Sequence, residues 1–295
     1  MLRLPSSRPR AAATLRTCAT PPRSRCLATD AAASIAGTVA YHRAYILLHT
    51  HVAPPAFPAR VSSRLQRQLQ LRTARWGGLV NFAWLPGTAG EGTGAEADAP
   101  EWERGEEEAY PATVYAQDRA PLDVPRLSMA NLDDVAAALR AHVEDAPPAG
   151  LELSTQYPFA LYVCTHGERD CRCGTTGQAV FDALQAEVAR RGPECDIKVG
   201  GIGHVGGHKY AANVLVYPWG DWLGNVKPED VPQLVETIIR TRTKLSFNSE
   251  TSPPPFEASI WRGRMGLDKE EQLALIGKGV TPPVDGPLTP HASRS

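Results

Sequence analysis

The chain has 295 residues, a net charge of −1 and 42% hydrophobic residues, enough for one large domain or two of ordinary size. The balanced charge gives no global pull toward nucleic acid or an anionic membrane, so neither is expected as a partner. No run of 18 apolar residues occurs, so no membrane span is expected.

Arg3, Arg8, Arg10, Arg16, Arg23 and Arg25 all precede the first acid, Asp30, with Ser, Thr, Ala and Pro between them. That composition predicts a mitochondrial transit peptide over residues 1–33 and a mitochondrial location, matrix or intermembrane space. A first α/β unit is expected over 37–150. Tyr45–Thr50 and Gly78–Trp84 read as strands, and Val61–Thr73 reads as a basic helix with Leu65, Leu69 and Leu71 roughly on one side. Residues 86–108 read as an exposed acidic loop, Tyr110–Gln117 as a strand, and Asn131 as the start of a helix running to about Glu144.

A second unit is expected over 155–247. Phe159–Val163 is a strand that ends at Cys164. A helix follows Gly174, where Thr175 and Gln178 have capping-box spacing and Val180, Leu184 and Val188 repeat every fourth residue. Gly192–Pro193 stops it. Asp196–Val199 and Ala212–Tyr217 are further strands. Pro228 opens a last helix with Val231, Leu234, Val235, Ile238 and Ile239 as its buried stripe. The order β-α-β-β-α is a thioredoxin-like order. Residues 248–295 are expected to form a C-terminal extension, disordered from about Thr281.

Six cysteines are present, and Cys164, Cys171 and Cys173 crowd together. In an intracellular protein such a cluster reads as metal-binding or redox-active rather than as a secreted disulfide framework. Cys164 closes a strand, and Cys173 sits beside a helix N-terminus, where the dipole and free N–H groups favour a thiolate. Arg169 and Arg172 act in the same direction. His204 and His208 are separated by Val-Gly-Gly, a tight turn that lets two imidazoles converge on one metal. Two Cys and two His suit tetrahedral zinc on ligand type, although Cys-x8-Cys is atypical of zinc fingers. A thiol oxidoreductase would want Cys-x-x-Cys, which is absent. Cys164-Thr-His166 mimics half of a Rieske motif, but Cys195 is followed by Asp-Ile-Lys and cannot supply the other half.

The runs Cys164–Gly174, His204–Asn213 and Tyr217–Asp230 resemble the sucrase/ferredoxin-like family, the fungal and plant thioredoxin-like ferredoxins. The Arg-rich leader and Trp261–Leu267 make the chain most similar to the mitochondrial branch, named for altered inheritance of mitochondria. The resemblance is strong in the second unit and weaker in the first. It implies a thioredoxin-like ferredoxin domain preceded by a smaller α/β unit. It also implies a [2Fe–2S] cluster bound by Cys164, Cys173, His204 and His208, and a redox partner protein the sequence does not identify. Cys171 stands close enough to compete, and the family spacing selects Cys173. The implied role is one-electron transfer or redox sensing. No carboxylate pair is placed for glycoside hydrolysis.

Overall fold

The computed structural model describes residues 34–86, 108–145, 151, 153–242 and 247–277. In chain order these residues form β1 (Ala44–His49), α1 (Arg64–Thr73), β2 (Gly78–Trp84), β3 (Ala109–Ala116), β4 (Leu122–Ser128), α2 (Leu132–Glu144) and the single turn α3 (Leu153–Gln156). Then follow β5 (Phe159–Cys164), α4 (Gln178–Arg191), β6 (Ile197–Ile202), β7 (Val214–Tyr217), β8 (Asp221–Leu223), α5 (Val231–Arg242), β9 (Trp261–Arg264) and α6 (Lys269–Gly277). The expected leader, residues 87–107 of the acidic loop, and the tail from 281 lie outside the described residues.

One nine-stranded mixed sheet runs through the molecule in the order β4-β3-β1-β2-β6-β5-β7-β8-β9. It contains a repeated pattern. β1 pairs parallel with β2 and antiparallel with β3, which pairs antiparallel with β4. β5 pairs parallel with β6 and antiparallel with β7, which pairs antiparallel with β8. Each half is therefore β-α-β-β-β-α, the thioredoxin-like order with one added hairpin strand. Two residue pairs, Ala83↔Ile202 and Trp84↔Gly201, join the halves. The two expected units thus share one sheet, and the stretch expected as an extension supplies β9 and α6.

Strand alternation sends one set of side chains from each half toward helices. Ile46 and Leu48 pack with Leu65, Leu69 and Leu139 of α1 and α2. Leu161 and Val163 pack with Val180, Leu184, Leu234 and Ile238 of α4 and α5. The opposite faces meet each other. Tyr115 of β3 and Tyr217 of β7 stack with ring centroids 4.0 Å apart. With β1, β2, β6 and β5 between them, a flat sheet would hold these rings about 24 Å apart at ~4.8 Å per strand. The sheet therefore curls at the short β2–β6 junction, and a shared core of Tyr45, Leu47, Tyr115, Tyr162, Tyr217 and Trp222 fills the fold.

Local chemistry explains where the elements depart from expectation. Leu71 is 60% exposed because it lies six residues after Leu65, about 240° around the helix. The expected capping box at Thr175 and Gln178 does not form. Thr175 Oγ1 donates to the Cys171 carbonyl, Gln178 donates to Asp182, and the helical turn begins earlier, where the Arg172 N–H donates to Asp170 Oδ1. Glu108, read as loop, is buried. Its carboxylate accepts from the Ser63 hydroxyl (2.7 Å) and from the N–H groups of Arg64 and Leu65 at the head of α1. β9 is anchored by Arg264, whose guanidinium meets the equally buried Asp221 carboxylate at 2.8 Å.

Candidate metal centre

β5 and β6 are parallel neighbours, with Cys164 paired to Ile202, so the segments that follow them leave the same end of the sheet. Cys164 is the last residue of β5, and its N–H donates to the Asn213 carbonyl (3.1 Å). The chain then crosses to a wide, π-type turn, Cys173–Gly177, that leads into α4. Close approach of these segments requires glycine. A Cβ on Gly177 would sit 2.1 Å from the Cys164 carbonyl oxygen, and one on Gly174 would sit 2.7 Å from Gly167 Cα. Gly206 and Gly207 have φ of +77° and +66°, the left-handed turn that returns the chain between the two histidines.

The structure brings Cys164, Cys173 and His204 together, with one donor atom from each within 4.8 Å of the others. Cys173 Sγ lies 3.8 Å from His204 Nδ1. Both cysteines are buried and both are free thiols. His208 stands at the rim, 48% exposed. Its ring lies 5.7 Å from that of His204, and its Nδ1 lies 3.5 Å from Asp170 Oδ2. Arg172 holds the Asp170 carboxyl down to about 2, so it is a carboxylate at neutral pH. Cys171 points outward and is exposed, because helical residues two apart face nearly opposite ways. Cys195 is buried in the α4–α5 core, far from this group in the fold, and burial pushes its thiol up.

The thiols are polarised unequally. Cys164 accepts from the Cys173 thiol and from the backbone N–H groups of Val205 and His166, which together hold it below the ordinary thiol range despite burial. Cys173 is pushed up in return, first by that bond and then by burial. His166 is not a donor to the group. Its Nε2 donates to the Pro58 carbonyl (3.0 Å), which leaves Nδ1 to accept from the His204 N–H (3.4 Å). It therefore braces the backbone of His204. Two residues not singled out from the sequence contribute: the Asn213 backbone carbonyl holds the Cys164 strand end, and the Asp170 carboxylate stands beside the His208 ring. A backbone contact and a single acid in a charged loop carry no pattern that marks the role in advance.

A β-α-β-β-β-α frame with cysteines and histidines at neighbouring strand ends defines a thioredoxin-like α/β protein with a candidate Cys/His metal centre. The family model of the sucrase/ferredoxin-like proteins matches residues 35–250, and the chain belongs to that family. It is 41% identical over 83 residues to altered inheritance of mitochondria protein 32 of Meyerozyma guilliermondii, covering 27% of this chain and 29% of that one. It is 38% identical over 91 residues to actin patches distal protein 1 of Saccharomyces cerevisiae, again 27% and 29% of the two chains. The chain thus spans under a third of the length of these relatives. A solved thioredoxin-like [2Fe–2S] ferredoxin from Aquifex aeolicus is 26% identical, covering 29% of this chain and 83% of that one, with a TM-score of 0.25. Among the described residues, no helix is long and apolar enough to cross a membrane.

Proposed function

We propose that this chain is a mitochondrial [2Fe–2S] redox protein, serving one-electron transfer or redox sensing, with Cys164, Cys173, His204 and His208 as the cluster ligands. The observation that carries the reading is the convergence of two buried free thiols and an imidazole at one end of the sheet, with a second imidazole beside them. The donor set fits the group. Thiolates hold iron, and replacing two thiolates by imidazoles lowers the negative charge of the site. A bound cluster would supply the exchange of one electron at a time. The chain's own residues do the rest. The N–H groups of Val205 and His166 support negative charge on Cys164, and His166 fixes His204. The half-exposed His208 is the edge through which an electron reaches a partner. The mitochondrial setting draws on the Arg-rich start of the chain and on relatives named for mitochondrial inheritance.

The test is anaerobic purification followed by visible absorption and iron, sulfide and zinc analysis. A brown protein with about two irons and two sulfides, bleached by dithionite, is expected for a single cluster. A colourless protein carrying zinc, or no metal after cluster reconstitution, would overturn the reading.

A further inference from the structure

β9 carries two arginines that the fold treats differently. Arg264 is fully buried with its charge matched by Asp221, to which Trp261 Nε1 also donates at 2.7 Å. Arg262 is only 4% exposed, yet it donates to neutral acceptors alone: Asn213 Oδ1 (2.7 Å), the Thr38 carbonyl (3.0 Å) and Thr38 Oγ1 (3.2 Å). Its guanidinium also lies over the rings of Tyr210 and Trp222, at 5.1 and 5.8 Å. Among the described residues it has no carboxylate in ion-pairing range. A buried charge without a countercharge is strongly unfavourable, and arginine does not shed its proton to escape.

The guanidinium lies against the turn between the two histidines. A Cβ on Gly207, in the turn between His204 and His208, would sit 2.4 Å from Arg262 Nη2. Asn213 ties the three parts together. Its Oδ1 accepts from Arg262, its Nδ2 donates to the Gly207 carbonyl (3.2 Å), and its backbone carbonyl accepts from the Cys164 N–H. Once it holds a metal, Cys164 is a thiolate, a negative charge tied to Arg262 through Asn213.

We propose that Arg262 is the built-in countercharge of the Cys/His centre, a positioning residue that backs the histidine turn and favours the reduced state of a cluster bound there. This inference rests on the cluster reading above. Two thiolates cancel the charge of an oxidised [2Fe–2S] core, so uptake of one electron leaves a net negative centre. A fixed positive charge in a poorly screened interior stabilises that state more than the neutral one and raises the potential.

The experiment is a spectroelectrochemical titration of the full-length, cluster-loaded chain, with iron content measured alongside. R262Q should shift the equilibrium against reduction by about tenfold, a potential lower by about 59 mV for a one-electron couple. R262K should keep most of the wild-type potential, because it keeps the charge. N213D provides a second route if R262Q fails to fold: it sets a carboxylate against the guanidinium and should lower the potential with Arg262 still in place. A fully loaded R262Q with wild-type potential overturns the proposal, as do equal losses in R262Q and R262K, or an unshifted N213D. A wild-type chain that takes up no cluster overturns the cluster reading and this proposal together, whereas a loaded wild type with indifferent variants overturns this one alone.

Discussion

The two halves of the sheet share strand order, strand direction and the face each turns to its helices, yet among the described residues only the second gathers metal-binding groups. Cys164 ends β5 and His49 ends β1, each at the last paired position with its parallel neighbour. Cys164 meets a second thiol and an imidazole. His49 Nε2 lies 2.9 Å from Thr113 Oγ1, and burial pushes its ring down to about 4, so it stays neutral. The helix heads differ in the same way. The free N–H groups of α1 are taken by the chain's own Glu108 carboxylate, whereas the turn before α4 presents Cys173. A shared frame therefore positions strand ends and helix dipoles, and the residues placed there decide whether a site results.

The comparison can be broken most decisively by exchanging its key residues. C164S or C173S should lose bound metal altogether, while H49Q should retain it, as read by metal analysis of the purified chains. An H49Q protein that loses its metal would show that the first half belongs to the centre. A smaller effect is expected at the head of α1. E108A strips the acceptor from a buried hydroxyl and two N–H groups and should cost about 2 kcal/mol in urea unfolding, with the visible spectrum unchanged. The smallest effect is the proton linkage of His49. Its folded-state pKa, about 4, lies below the unfolded value of 6.5, so the unfolded chain binds more protons between those limits. The contribution is complete above pH 6.5 and is lost as pH falls toward 4. Going from pH 7 to 5.5 should cost about 1 kcal/mol, and H49Q should remove that share of the slope.

Much of this frame was legible in the sequence. Gly78–Trp84 and Phe159–Cys164 are dense apolar runs that stand as strands, and Asn131 does open α2. The cysteine and histidine spacing named a group of which three members converge. Edge elements were not legible, because their stability is tertiary. β4 buries Leu127 alone among its residues and so lacks a clear apolar pattern. β9 reads Trp-Arg-Gly-Arg, a strand only because Asp221 and Asn213 receive its arginines. Glu108 looked like one more acid in an acidic stretch until the fold set it against α1.

The most direct test of the two-cysteine, two-histidine centre is the reduction potential of the loaded wild-type chain measured from pH 6 to 9. Imidazole ligands gain and lose protons with redox state, so the potential should fall as pH rises, by up to about 59 mV per unit for each proton coupled to the electron. A potential that stays flat across that range would contradict histidine ligation.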